Sequence, residues 1–212
     1  MKHIIAISAL VLPLAASAQP YIGGTIGHGS TIADGAPQYS RISVDRKQDS
    51  MAVGLFAGYR RGWFAVEGGF IVLPEYHATA STNDYPAYKG CTVGPNCPQT
   101  ASVTQDIFSR ALYLRGNAYL PRVFGMEPYA FAGIAKTFNY NHEYGEYDCG
   151  EKVDFKVNFQ NTAGLYGVGI QSNINQKLSA RLEYFEMPKH ADEEHTLQRT
   201  ARMVIASVGY SF

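Results

Sequence analysis

The sequence predicts an all-β fold, an eight-stranded antiparallel transmembrane up-and-down β-barrel, and three observations carry that reading. Charged residues make up only 17% of the chain, below the quarter or so usual for soluble domains, so part of the exterior is expected not to face water. No later segment has the roughly 20 uninterrupted apolar residues that a membrane helix needs; the longest uncharged stretch, 157–176, contains Asn158, Gln160, Asn161, Gln171 and Asn173. Lipid satisfies no backbone hydrogen bonds, which leaves a closed barrel as the way to cross. A barrel requires segments of about ten residues with period-two alternation, joined by turns that are short at one end and long at the other. The chain contains eight such segments.

Residues 1–18 read as a signal peptide. Lys2 and His3 precede an apolar run from Ile4 to Leu14, and Ala16-Ser17-Ala18 fits cleavage before Gln19. The expected domain is thus 19–212, with four long external loops and no periplasmic domain.

The segments follow in order. Tyr21 to Gly29 is Gly-rich, and its facing is ambiguous. In the second, Met51, Val53, Leu55, Ala57 and Tyr59 alternate with Ala52, Gly54, Phe56, Gly58 and Arg60, and Arg61-Gly62 makes a tight reversal. In the third, Phe64, Val66, Gly68, Phe70 and Val72 oppose Ala65, Glu67 and Gly69. Phe108 to Leu120 places Leu112, Leu114 and Leu120 opposite Tyr113, Arg115 and Asn117. Tyr129 to Phe138 reads as Tyr129 and Phe131 on the apolar face with Lys136 opposite, which puts Lys136 inside. Tyr166, Val168 and Ile170 oppose Gly167, Gly169 and Gln171. After the turn at 173–176, Leu178, Ala180, Leu182 and Tyr184 alternate with Ser179, Arg181 and Glu183. The last has Val204, Ala206, Val208, Tyr210 and Phe212 against Ser207, Gly209 and Ser211.

Long connections are expected at about 30–48, 74–105, 139–158 and 187–198, with short ones between. An even strand number puts both termini on the short-turn side, hence periplasmic, with the loops extracellular. Aromatic girdles are expected from Tyr59, Phe64, Tyr119, Tyr129, Tyr210 and Phe212 below and from Phe108, Phe138, Phe159 and Tyr184 above. A soluble sandwich or lipocalin-like barrel would turn the apolar face inward and the other face to water. Here that other face is mostly Gly, Ala and Ser, too sparsely charged for a solvated surface. With 18 basic and 18 acidic residues the chain lacks the basic excess of nucleic-acid binders, and no nucleic-acid partner is expected.

The chain resembles the eight-stranded outer-membrane β-barrel family, the OmpA-like or OmpX-like barrel domain. The resemblance is carried by Tyr21-Ile22-Gly23-Gly24, by Pro128-Tyr129-Ala130-Phe131-Ala132-Gly133, by Gly167-Val168-Gly169 with Leu182-Glu183-Tyr184, and by Val208-Gly209-Tyr210-Ser211-Phe212. It implies a bacterial outer-membrane location with lipid or lipopolysaccharide as surroundings. It also implies that Val208, Tyr210 and Phe212 act as an assembly signal for the barrel-assembly machinery.

Glu67, Arg115, Lys136, Arg181 and Glu183 are expected to form a lumenal ion-pair network, with Glu67 near Arg115 because their strands are adjacent; isolated charges there would be costly. Such a network fills the barrel, or rearranges as a gate of the kind the resemblance suggests. Cys91 and Cys97 are a disulfide candidate in an oxidising compartment, and Cys149 bridges two loops or stays free. The His142, Glu143, Glu146, Asp148 and His190 to His195 clusters show neither metal spacing nor a nucleophile elbow, so no metal, cofactor or enzymatic activity is expected. Tyr85, Tyr88, Tyr144 and Tyr147 are loop contact candidates for an external host or surface ligand, because tyrosines give contact area at low entropy cost. The expected role is therefore structural and adhesion-like, with a narrow gated pore as the alternative and a rim-sited enzyme acting on lipid A or peptides behind both.

Overall fold

The structure is a computed structural model, and it describes residues 19–34, 43–47, 49–82, 101–147, 152–188 and 198–212. Its strands are β1 (Gln19–Asp34), β2 (Ser43–Lys47), β3 (Asp49–Arg61), β4 (Phe64–Val72), β5 (Tyr76–Thr82), β6 (Ala101–Tyr119), β7 (Met126–Tyr147), β8 (Lys152–Asn173), β9 (Leu178–Met187) and β10 (Gln198–Ser211). Every pairing is antiparallel, and the eight strands β1, β3, β4, β6, β7, β8, β9 and β10 close into a ring through the β1–β10 and β6–β7 ladders. No described helix is long and apolar enough to cross a membrane.

The pleat sets the facing. Along β3, Ala52 and Phe56 are buried while Leu55 is 69% exposed; along β4, Glu67 is fully buried between the exposed Val66 and the outward Gly68. Large apolar side chains outside and charges inside invert the soluble arrangement, as expected where lipid replaces water. The outward run on β6 is Leu120, Ala118, Gly116, Leu114 and Leu112, then Arg110; on β7 it is Pro128, Ala130, Ala132 and Ile134, then Lys136; on β10 it is Tyr210, Val208, Ala206 and Val204, then Arg202. About ten residues of tilted strand give an apolar belt on the order of 25 Å high.

The links at one end are short. Gly62, with φ +57°, turns β3 into β4. Phe124 and Gly125, both at positive φ between the paired Val123 and Met126, turn β6 into β7, as a two-residue hairpin loop requires. Phe124 sits at that tip 96% exposed, and Trp63, Phe64 and Phe212 at the same end of the barrel are exposed as well. Both described ends of the chain lie here too: the Phe212 amide donates to the Pro20 carbonyl at 3.2 Å.

Three expectations are corrected. Tyr119 and Tyr129 belong to no girdle; both are buried in the lumen, 4.9 Å apart between ring centroids. On β7 the faces are reversed: Tyr129, Phe131 and Ala135 point inward, while Ile134 and Lys136 point outward. Apolarity alone misassigns this strand, since aromatic rings also fill a small barrel. The connection expected at 139–158 is mostly strand, because β7 and β8 stay paired up to Glu146↔Lys152; β2 and β5 likewise pair within the expected 30–48 and 74–105 loops.

Candidate functional site

Four buried charges occupy the lumen at mid-height. Register places Glu67 of β4 directly opposite Arg115 of β6, and both have the inward parity of their strands. Arg181 and Glu183 come from β9, on the far side of the ring. Arg115 grips Glu183 with two parallel bonds, Nη2 to Oε1 at 2.7 Å and Nη1 to Oε2 at 3.1 Å, and its Nη2 also lies 2.7 Å from Glu67 Oε1. Arg181 Nη1 donates to Glu67 Oε2 at 2.6 Å, and its Nε donates to Gln171 Oε1 at 3.1 Å. The alternating row Arg181, Glu67, Arg115, Glu183 is neutral in sum and ties opposite walls together.

An aromatic collar completes the site. Tyr21 and Tyr113 donate their hydroxyls to Glu67 at 3.1 and 3.2 Å, and Tyr129 donates to Glu183. The Arg115 guanidinium lies 4.2 Å from the Phe131 ring centroid, and that of Arg181 lies 4.8 Å from Phe56 and 4.9 Å from Tyr21. Gly133, across from Arg115, leaves room for this: a Cβ there would stand 2.1 Å from the Leu114 carbonyl oxygen. Gly167 likewise receives the Phe131 ring, 2.4 Å from where its Cβ would be. Charged carboxylates and guanidiniums with their partners supplied can persist in such a core, where unpaired ones would not.

Toward the short turns the lumen opens into a polar cavity of about 380 Å³, lined by Tyr21, Arg60, Glu127, Gln171, Lys177 and Arg181 among others. Its mouth is braced by Glu127, which accepts from Arg60 at 2.8 Å and from Arg122 at 2.9 Å; the Arg60 guanidinium stacks 3.8 Å from the Tyr119 ring centroid.

The structure brings together Glu67, Arg115, Arg181 and Glu183. It does not bring in Lys136, which is exposed on the outer wall with its Nζ 5.8 Å from the Phe138 ring centroid. Val208, Tyr210 and Phe212 form an outward row on β10 and beyond it, with the Tyr210 and Phe212 rings edge to face at 5.3 Å. Tyr144 is exposed on β7, its ring 4.9 Å from that of His142; Tyr147 ends the same strand. Tyr85, Tyr88, Cys91, Cys97 and Cys149 lie outside the described residues. Among the described residues no group of three or more His, Cys, Asp or Glu could hold a metal ion. The residues that sequence reasoning missed are the collar: Tyr21, Phe56, Tyr113, Tyr129, Phe131 and Gln171. Parity with Arg115 marks Tyr113, whereas nothing local marks Tyr21, whose segment is ambiguous.

Among solved structures the chain is similar to OprG from Pseudomonas aeruginosa, with a TM-score of 0.52 at 13% identity over 92% of this chain and 96% of that one. It is also similar to Neisserial surface protein A, with a TM-score of 0.51 at 11% identity over 91% and 97%. At these identities the likeness is one of fold. No curated protein gave a significant match. A family model for the outer membrane protein beta-barrel domain matches residues 4–212, almost the whole sequence, and this chain, a closed eight-stranded barrel with an apolar wall, belongs to that family.

Proposed function

We propose that the protein is an integral outer-membrane barrel whose long-loop end faces outward and acts as an adhesion-like contact surface, the barrel serving as its support. The observation that carries this is the β7–β8 hairpin, which continues past the apolar belt and sets Tyr140, His142 and Tyr144 in a row that Phe108 of the neighbouring β6 extends, with successive ring centroids 6.4, 6.4 and 4.9 Å apart. A pre-ordered row of rings offers contact area with little conformational entropy left to lose. Protease shaving of whole cells tests the orientation. Replacing Tyr140 and Tyr144 by Ser tests the role: weaker adhesion or altered phage sensitivity is expected, and wild-type behaviour in both would remove the proposal. The outward row Val208, Tyr210 and Phe212 is read as the assembly signal, and unimpaired membrane insertion of a chain lacking Phe212 would count against it.

A second reading, a narrow gated pore, is favoured by the polar cavity that reaches Arg181, the partner of Glu67, from the short-turn end. Planar-bilayer conductance that rises in Glu67→Ala supports it, and unchanged conductance counts against it.

A further inference from the structure

At one place in the lumen, Arg115 Nε, Asn117 Nδ2 and Asn117 Oδ1 are buried and make no hydrogen bond among the described residues. Asn117 is 2% exposed and Arg115 3%. Buried polar atoms of native proteins find a partner in protein or in ordered water, because their lost hydration is otherwise uncompensated. The fold gathers these atoms. Arg115 and Asn117 are two positions apart on β6, so both point inward on the same side. The Arg115 guanidinium lies 4.2 Å from the Phe131 ring centroid, and Phe131 is paired with Asn117 across the β6–β7 ladder. Arg115 therefore leans from its own level toward that of Asn117. On the other side Asn117 is paired with the inward Ala65 of β4, whose methyl group leaves space beside the amide.

The partner that these atoms require has a defined chemistry. It accepts from the guanidinium Nε–H, accepts from the amide N–H and donates to the amide oxygen. It is also uncharged, because the row Arg181, Glu67, Arg115 and Glu183 is already neutral in sum. Water is the small group that does all of this, and about three bonds is usual for a buried water. One molecule closes a ring with the N–H and C=O edge of the amide and takes the guanidinium N–H on its other lone pair. We propose that Arg115 Nε and Asn117 hold an ordered water as a built part of the lumen, and that Asn117 acts on the charge row through it. Next along the same face, Tyr119 donates to Gln171, which lines the polar cavity, so the water site lies between that cavity and the row. The proposal needs neither the contact surface nor the pore.

The test uses the full chain refolded in detergent micelles with isotope-labelled arginine, and reads nuclear Overhauser contacts between the Arg115 Nε–H and water. The Nε–H signal is assigned through its bonded side-chain carbons. Wild type is expected to show the contact. Asn117→Leu, close in size and unable to bond, is expected to lose it, and Asn117→Ser, smaller and still polar, to keep it. No contact in wild type overturns the site and means that amide and guanidinium bond directly. A contact that persists in Asn117→Leu reaches water by way of a collar hydroxyl and overturns the site too, as does its loss in Asn117→Ser. Urea unfolding in lipid vesicles gives a second readout. Asn117→Leu should lower the midpoint, because it strands the Arg115 Nε–H; a raised midpoint overturns the site, since removing an unpaired amide from a dry lumen is a gain. If Asn117→Leu fails to fold, Asn117→Val takes its place in both measurements.

Discussion

Glu67 holds two guanidiniums and two phenol hydroxyls on one carboxylate, with no access to water. Removing its charge leaves Arg115 with Glu183 alone and Arg181 with no carboxylate. Glu67→Gln is therefore expected to destabilise the barrel by about 3–5 kcal/mol, the cost of a buried charge left without its partner. Urea unfolding in lipid vesicles measures this. Adding Arg181→Met should recover part of the loss, because the orphaned cation goes with it; additive losses would show that the two residues do not act as a unit. The adjacency of Glu67 and Arg115 was legible in the sequence, since neighbouring strands of known parity fix it. That Arg181 and Glu183 share the lumen with them was legible too, but which charge each one meets was not, because β9 reaches them across the lumen.

The β7–β8 hairpin shows how an element outgrows its sequence signal. Asn139 to Tyr147 has no apolar alternation, which in a barrel marks only the lipid-facing stretch, yet the ladder continues. Cross-strand contacts hold this part: His142 Nε2 and Asp154 Oδ1 share a hydrogen bond at 2.9 Å, with Lys156 Nζ 3.5 Å from the same oxygen. The hydrogen bond to His142, with the nearby Lys156, keeps the Asp154 carboxyl below the usual carboxylate range. A carboxyl lowered on folding stabilises the hairpin above the ordinary carboxylate pKa of about 4, and that contribution is lost as pH falls through the lowered value. Amide exchange for β7 residues 140–145, taken as the ratio of wild type to His142→Ala so that intrinsic rates cancel, should show protection near neutrality that disappears in acid. A ratio independent of pH would refute the pairing as its source.

At the scale of the whole molecule, the closed ring leaves no free edge, so the barrel should unfold as a unit. Unheated samples are expected to migrate differently from boiled ones on a gel. A variant with 143–153 replaced by a two-residue turn should keep that behaviour, because the belt, the collar and the charge row all lie below the cut. Loss of the mobility difference in that variant would mean that the extension is part of the folding unit.

The sequence by itself determined the number of strands in the ring, the short-turn end, the belt and the facing of six of those strands, because side chains alternate with period two and lipid penalises any polar residue on the wrong side. The tertiary structure decided the remaining facings and partners. On β7 both faces are apolar enough for either side, and only closure of the ring sends Tyr129 and Phe131 inward and Lys136 out. The meeting of Arg181 with Glu67 and of Glu183 with Arg115 depends on the stagger and diameter of the closed barrel, quantities that belong to the ring and to no single strand.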